Sequence, residues 1–217
     1  MYRNLEHDVG RITASLADLR SRFDPDFLNI FVEELLTWNP QLGLVSKRST
    51  AAVVSRLVRQ SVDLWEFVAG GVGYRSAGPP WRVADIGSGA GFPGLVWKGL
   101  VPSLRLILIE RKSRRAMFLE RTVHRLDFRD TEVVEADLKE VVQGPRGPGG
   151  FDLAVTLAVA SPPKVGKLIE QVLKPGCYYV TVRPVREKAI DPHLATCLRL
   201  HSTAKSEKGT FLLYQKT

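Results

Sequence analysis

The stretch Val83–Gly94 constrains the fold of this chain more than any other part of the sequence. It reads VADIGSGAGFPG, an apolar run that ends in an acidic residue and leads into glycines at alternate positions. A short buried strand that ends in closely spaced glycines and leads into a helix brings bare backbone against a nucleotide-like ligand in α/β folds. Pro93 supports a helix start, because proline is tolerated in the first helical turn. The stretch therefore predicts a ligand-binding loop between a strand and a helix.

Length and composition set the remaining bounds. A chain of 217 residues that is 44% hydrophobic suits one full α/β domain plus a smaller region. No apolar run approaches the ~20 residues that span a bilayer. The N-terminus lacks the apolar core of a signal peptide, so we expect a cytoplasmic protein that does not bind membranes. The two cysteines and four histidines have neither metal-ligand nor triad spacing, so we expect free thiols and no metal site. We also expect a monomer.

The net charge of +8 is unevenly placed along the chain. Residues 1–78 hold nine Lys and Arg and nine Asp and Glu, whereas residues 79–217 hold 22 and 14, so the whole excess lies in the half that contains the glycines. A basic domain favours a polyanionic partner, with nucleic acid ahead of membrane. The alternative is a positive charge that only aids solubility.

The first third of the sequence predicts helices. Residues 1–70 are expected to form a helical region, and 71–80, rich in glycine and proline, a linker. Within the helical region, Asp24 is the predicted N-cap of a helix with one apolar stripe, and Asn39-Pro40 is its predicted end. A second helix is predicted from Ser49-Thr50 to Val68.

Residues 81–217 predict one domain of alternating strands and helices. The predicted strands are Trp81–Ile86, Leu104–Glu110, Thr131–Ala136, Phe151–Val155 and Tyr178–Val182, with two more at Thr196–His201 and Phe211–Gln215. The predicted helices are Pro93–Gly99, Ser113–Leu126 and Lys164–Leu173. Such alternation indicates an α/β fold with a mostly parallel, seven-stranded sheet, helices on both faces and an antiparallel extension at one edge.

The ligand of the glycine loop depends on the register in which the loop is matched. A dinucleotide fingerprint, G-x-G-x-x-G, fits Gly89–Gly94 but is a weak signal alone. The register Asp85-x-Gly87-x-Gly89-x-Gly91 fits better, because a carboxylate at the strand end opposes two phosphates but accepts a hydrogen bond from a ligand amine. S-adenosylmethionine has an amino group, a sulfonium and no phosphate. Glu110, at the end of the next strand, is placed for ribose hydroxyls; the alternative is a helix-capping or surface carboxylate.

The glycine string, the following LILIERKSRRAMFLER and the upstream Trp38-Asn39 together resemble the glucose-inhibited division protein B family, bacterial methyltransferases that act on small-subunit ribosomal RNA. The resemblance covers about residues 25–215. It implies a Rossmann-like class I methyltransferase domain behind a small helical N-terminal region, with S-adenosyl-L-methionine as cofactor. It also implies that the partner is 16S rRNA or the small ribosomal subunit, and that the acceptor is ring nitrogen 7 of a guanine.

The resemblance also assigns site residues. It implies cofactor contacts at Gly87, Phe92, Leu138, Lys139 and Leu157, in addition to Asp85, Gly89, Gly91 and Glu110. The family usually has an acidic residue at the position of Lys139 and arginine at that of Leu157. A catalytically silent or retargeted RNA-binding homologue is therefore an open alternative. A small-molecule methyltransferase is another, against which the basic half argues.

A basic helix follows Glu110. On a helical wheel, five arginines lie within about 80° of one another, and Phe118 lies among them: Arg111, Arg114, Arg121, Arg125 and Arg129. This stripe suits an RNA backbone, and Phe118 could stack on a base; the alternative is a solvated face whose arginines pair with Glu120 and Asp127. The predicted RNA contacts are Arg114, Arg115, Arg121 and Arg183. Because ring nitrogen 7 carries a lone pair and no proton, no catalytic acid or base is predicted.

Overall fold

The computed structural model describes residues 2–46, 50–144, 150–157, 162–184, 193–207 and 209–217. The chain begins with α1 (Tyr2–Ala14), a 3-10 turn (Ala17–Arg22), α2 (Phe27–Leu42) and α3 (Thr50–Val72). Strands and helices then alternate: β1 (Arg82–Ile86), α4 (Gly94–Leu100), β2 (Arg105–Ile109), α5 (Ser113–Arg125), β3 (Thr131–Val134), α6 (Leu138–Gln143), β4 (Phe151–Thr156), α7 (Pro162–Val172) and β5 (Leu173–Pro184). The last strands are β6 (His193–Ala195), β7 (Leu198–Ser206) and β8 (Gly209–Lys216).

All of these strands form one sheet in the order β3-β2-β1-β4-β5-β8-β7-β6. Neighbours from β3 to β5 run parallel, and the pairs from β5 to β6 run antiparallel. The α/β class, the parallel half and the antiparallel extension are confirmed. The sheet has eight strands rather than the predicted seven, because β6 spans three residues, too few to show a strand pattern in the sequence. The strand order reverses between β1 and β4, which creates a topological switch point.

Both faces of the parallel half are buried. Alternate residues of β1 belong to different cores, with Val83 on one side and Ala84 on the other. The first core includes α1 to α5, and the second includes α6 and α7. Helices on both faces are thus confirmed, and burial of both faces explains why the parallel strands are almost continuously apolar.

The N-terminal helices differ from their predicted bounds. The N-cap of α2 is Asp26, and the carboxylate of Asp24 instead accepts the N–H of Asp26 at 3.1 Å. Helix α2 continues through Pro40 to Leu42 and ends at Gly43, whose φ of 57° is left-handed. Because the helix continues for two residues beyond Pro40, the predicted stop at Asn39-Pro40 is wrong.

Helix α3 and the N-terminal region are continuous with the rest of the fold. Helix α3 ends at Val72 rather than Val68 and includes the first residues of the predicted linker. Phe31 of α2 packs edge-on against Phe92 of the glycine loop, with ring centroids 5.2 Å apart. The helices therefore pack directly on the segment that the sequence marked as ligand-binding. Among the described helices, none combines the length and apolarity that a membrane crossing requires.

Candidate active site

The glycine loop lies at the carboxyl edge of the parallel half, where β1 meets its neighbours. The N–H groups of Gly87 and Ser88 both donate to the carbonyl of Ile109, at 2.8 and 3.2 Å. These bonds fasten the start of the loop to the end of β2. In open α/β sheets, ligands bind outside the carboxyl ends of the strands at the switch point, and this loop occupies that position.

The glycines of the loop are required by its backbone. Gly87, Gly89 and Gly91 have φ angles of 76°, 52° and 86°, a region that other residues rarely adopt. A Cβ on Gly94 would lie 2.6 Å from Asp85 Oδ2 and 2.8 Å from a methyl of Leu108. The loop is therefore both left-handed and closely packed on the strand beneath it.

Asp85 lies under this loop with no exposed surface. Its Oδ2 accepts the N–H of Gly94 at 3.0 Å, and its Oδ1 has no hydrogen-bond partner among the described residues. Burial raises the pKa of Asp85 to about 8, against the opposing effect of the Gly94 N–H. The sequence predicted a carboxylate that faces a ligand amine; the structure has a buried carboxyl that faces the backbone of its own loop, because the loop closes over the strand end.

Glu110 follows β2 and is almost completely buried. Its Oε2 accepts the N–H of Gly89 at 3.0 Å, and its Oε1 accepts the N–H of Lys112, the N-cap residue of α5, at 2.9 Å. Glu110 therefore joins the glycine loop to the start of α5. Each carboxylate oxygen has a second lone pair, so Glu110 can still accept hydrogen bonds from hydroxyl groups in the cleft.

A cleft of about 470 Å³ opens between these elements. It is lined by Ile86, Gly87, Ile109, Glu110, Arg111, Lys112, Arg115, Ala136, Asp137, Leu138, Val165 and Leu168. Three of the predicted cofactor residues, Gly87, Glu110 and Leu138, line this cleft. The apolar walls all come from the second core, the one that includes α6 and α7, and the carboxyl groups of Glu110 and Asp137 lie at two sides.

Sequence reasoning predicted Leu138 but missed the two residues before it, Ala136 and Asp137. Ala136 and Asp137 line the cleft, whereas Lys139 is exposed on α6 and is not among the lining residues. Asp137 is the N-cap of α6, and its carboxylate accepts the N–H of Glu140 at 2.9 Å in a capping box. The spacing Asp137-x-x-Glu140 is a recognisable capping signal and could have located this turn. The acidic group near the cleft is thus supplied two positions before Lys139.

Two other predicted cofactor residues lie beside the cleft rather than in its wall. Phe92 is buried and its ring packs against Phe31. Leu157 follows β4 and packs, partly buried, against the first core. Both lie at the carboxyl edge of the sheet, but neither side chain lines the cleft.

The basic helix α5 has a different exposed face from the one predicted. Phe118 is only 2% exposed and belongs to the first core, so the prediction that it stacks on a base is wrong. Arg121 and Arg125 are ion-paired with Glu34 of α2, at 2.9 and 2.6 Å. The helical wheel could not show this, because the partner lies in a distant part of the chain.

The other predicted RNA contacts do not lie in one place. Arg114 is exposed on the first turn of α5. Arg115 lines the cleft and donates from Nη2 to the carbonyl of Gly43 at 3.0 Å. Arg183, near the end of β5, is partly buried, and two of its guanidinium nitrogens have no partner among the described residues. The structure therefore brings Arg114 and Arg115 together near the cleft.

S-adenosylmethionine fits the chemistry of this cleft. The exposed backbone of Gly87 admits a close ligand, Glu110 has lone pairs for ribose hydroxyls, and the apolar walls suit a flat adenine ring. The backbone N–H groups of Gly87, Gly89 and Gly94 donate to acceptors of the protein itself, so the loop does not offer them to a pyrophosphate. The fold and the cleft together define a Rossmann-type protein of the S-adenosylmethionine-dependent methyltransferase class.

Similarity to known structures shows the same fold. A SAM-dependent methyltransferase from Aquifex aeolicus superposes with a TM-score of 0.53 at 16% identity, covering 71% of this chain and 90% of the other. A mutant of MtNAS in complex with S-adenosylmethionine superposes with a TM-score of 0.62 at 13% identity, covering 99% and 97%.

Sequence similarity identifies the family. The model of the family GidB, rRNA small subunit methyltransferase G, matches residues 25–208, and the chain belongs to this family. A ribosomal RNA small subunit methyltransferase G from Desulfitobacterium hafniense is 27% identical over 176 residues, which is 81% of this chain and 70% of that relative. The homologue from Roseiflexus castenholzii is 35% identical over 130 residues, which is 58% of this chain but only 51% of the relative. The match to the second relative thus spans about half of its length.

Proposed function

We propose that this protein uses S-adenosylmethionine to methylate ring nitrogen 7 of a guanine in 16S rRNA. The observation that carries the proposal is the cleft at the switch point, where Gly87 is exposed and Glu110 keeps free lone pairs at the end of β2. Membership in the rRNA small subunit methyltransferase G family supports the substrate. The protein acts as a cytoplasmic monomer in this proposal.

Separate parts of the chain would hold the cofactor. Gly87 would offer its backbone, Glu110 would accept from the ribose hydroxyls, and Ala136 to Leu138 would flank the adenine. Asp85, Gly89 and Gly91 would act by holding the loop in shape, and Phe92 by packing the loop on α2. The contacts of Lys139 and Leu157 with the cofactor stay predictions. When bound, S-adenosylmethionine supplies an electrophilic methyl group.

The protein has no need of a general base for this acceptor. Ring nitrogen 7 of guanine has a free lone pair and no proton, so the contribution of the chain is to align the two substrates and exclude water. Arg111, Lys112 and Arg115 at the cleft and Arg114 next to it carry positive charge toward an incoming RNA. Part of the excess positive charge of residues 79–217 thus lies beside the cleft.

Cofactor binding is the first test. Isothermal titration calorimetry of the wild type should show S-adenosylmethionine binding, and Glu110→Gln should weaken it at least about tenfold, because an amide nitrogen cannot accept from Gly89 or from a hydroxyl. Glu120→Gln, an exposed change on α5 that points away from the cleft, is the matched control and should bind as the wild type does. A wild type that binds no S-adenosylmethionine at millimolar concentration would reject the enzyme.

The acceptor is tested on the ribosome. Mass spectrometry of 16S rRNA nucleosides should show 7-methylguanosine lost from a deletion strain and restored by the wild-type gene but not by Glu110→Gln. Binding to small-subunit rRNA fragments should weaken with salt, and Arg114→Gln should reduce the slope of log affinity against log salt by about one. A flat salt response would instead favour a small-molecule methyltransferase.

A further inference from the structure

A second pocket, the seam pocket, lies between α2 and α5. It is lined by Trp38, Leu42, Arg114, Met117, Phe118 and Arg121 and has a volume of about 300 Å³. That volume lies at the lower end of the range of about 300–1,000 Å³ for small-ligand sites. Met117 is 64% exposed and is the only large hydrophobic side chain so exposed among the described residues. The pocket therefore presents apolar surface to solvent between two arginines.

The aromatic wall of the seam pocket is held in place. The indole N–H of Trp38 donates to Glu34 Oε2 at 3.2 Å, and Arg121 Nε donates to the same oxygen at 2.9 Å. The guanidinium of Arg121 lies 5.6 Å from the centre of the Trp38 ring. Because Glu34 is buried, its carboxylate fixes both partners. The Trp38–Arg121 pair is thus a preformed stacking surface.

The seam pocket adjoins the cofactor cleft. Arg114 lines the pocket and the next residue, Arg115, lines the cleft. Arg115 also donates to the carbonyl of Gly43, at the end of the helix that carries Trp38 and Leu42. An RNA strand bound at the cleft would therefore pass near the seam pocket.

We propose that the seam pocket binds an unpaired nucleobase of the RNA substrate, stacked on the Trp38–Arg121 pair, with its phosphate near Arg114. This inference rests on the proposed function, since it assigns a subsite to the same substrate. Unpaired bases are recognised by stacking on aromatic rings or arginine planes. A phosphate alone would leave the apolar surface of Met117 and Leu42 exposed to water. An apolar partner would leave the exposed cation of Arg114 without a counter-charge, on a domain that holds all the excess positive charge of the chain.

The test separates stacking from fold support by comparing two variants of one residue. Trp38→Phe keeps an aromatic ring but loses the bond to Glu34, whereas Trp38→Leu loses both. The probe is a short single-stranded oligoribonucleotide that contains guanine, with an abasic copy of equal length as the second probe. Affinity is measured by fluorescence anisotropy, and S-adenosylmethionine affinity by calorimetry on the same samples. His124→Ala, an exposed change elsewhere on α5, is the matched control.

We expect Trp38→Leu to weaken binding of the base-containing probe by about tenfold, the effect of one lost base stack. Trp38→Phe and His124→Ala should stay within about threefold of the wild type. All variants should bind the abasic probe and S-adenosylmethionine equally. Equal losses in Trp38→Leu and Trp38→Phe would assign the effect to the Glu34 bond and overturn the proposal, as would wild-type affinity in Trp38→Leu.

Met117 gives a second test that does not disturb a buried residue. Met117→Ala should weaken binding of the base-containing probe severalfold, and Met117→Leu should not. If both variants bind the base-containing probe as tightly as the wild type does, the nucleobase pocket is contradicted. A dimer in sedimentation experiments that Met117→Ala dissociates would place a second copy of the chain in the pocket and overturn the proposal. Failure of the wild type to methylate small-subunit rRNA rejects the proposed function; normal methylation by Trp38→Leu, with normal probe binding, rejects only the pocket.

Discussion

The cofactor cleft and the α2–α5 seam lie side by side on helix α5, but they are built in different ways. On one side the cleft is made from the glycine loop and the next strand end, where Glu110 accepts the N–H of Gly89. The seam joins parts of the chain that are far apart in sequence, Glu34 with Arg121 and Gly43 with Arg115. Both use a buried carboxylate as a fixed acceptor: Glu110 in the cleft and Glu34 in the seam.

This difference decides which residues can be assigned a role before the structure is known. In the cleft, the residues act through backbone conformation and short-range hydrogen bonds, and these are visible as a motif. In the seam, arginines that form one stripe on a helical wheel divide into two groups. Arg114 remains exposed, whereas Arg121 and Arg125 are paired with α2. A basic stripe is therefore a mixture of surface charge and tertiary contacts.

The seam should show the largest effect on stability. Replacing Arg121 and Arg125 together by methionine keeps their apolar stems but leaves the buried Glu34 carboxylate with Trp38 as its one donor among the described residues. An unpaired buried charge costs about 3–5 kcal/mol, and urea unfolding should show a loss of that size. Adding Glu34→Gln to the double variant should recover part of it. Arg129→Met, an exposed control, should change the free energy of unfolding by less than about 0.5 kcal/mol.

The carboxyl group beneath the glycine loop should make the stability of the protein depend on pH. Because the pKa of Asp85 is raised from 3.8 to about 8, the folded protein holds a proton at neutral pH that the unfolded chain has lost. The stabilisation that comes from this raised pKa is fully present below about pH 3.8. It falls as the pH rises above that value and is lost once the pH has risen through about 8. From pH 5 to 7, the free energy of unfolding of the wild type should fall by about 2–3 kcal/mol relative to Asp85→Asn. Parallel pH profiles of the two proteins in urea titrations would contradict a protonated Asp85.

Close packing under the glycine loop gives the next effect. In Gly94→Ala, the new methyl would lie 2.6 Å from Asp85 Oδ2, and such overpacking costs about 1–3 kcal/mol. Gly10→Ala is the control, because nothing lies within 4 Å of its Cβ position in α1. Replacing a glycine by alanine in a helix stabilises by roughly 0.5–1 kcal/mol. Thermal unfolding should therefore shift in opposite directions for the two variants.

The smallest effect is expected where the two regions meet. Arg115→Met removes the bond to the Gly43 carbonyl and a cation from the cleft, and a partly exposed hydrogen bond contributes about 0.5–1.5 kcal/mol. Denaturation should show a loss of at most that size, while calorimetry should show an altered S-adenosylmethionine affinity. An unchanged affinity would mean that the seam and the cleft are independent.

Much of the fold was predictable, because its strands carry strong apolar patterns bounded by glycine and proline. The bounds that were wrong lie where a local signal was outweighed by packing. Pro40 did not end α2, and Gly70 and Gly71 did not end α3. Phe118 was misassigned because α5 rests on the first core through that side of the helix, and a wheel of charges does not show which side touches the core.

The chemistry of the glycine loop depends on residues that are close together in the sequence. The alternate spacing of Gly87, Gly89 and Gly91, the acidic residue at the strand end and Glu110 after the next strand can all be read from the sequence. Together with the family resemblance they predicted S-adenosylmethionine as the cofactor. The direction in which Asp85 faces, the entry of Asp137 into the cleft and the pairing of Glu34 with α5 depend on how helices pack over the sheet. That packing is set by contacts between distant residues, which a sequence motif does not contain.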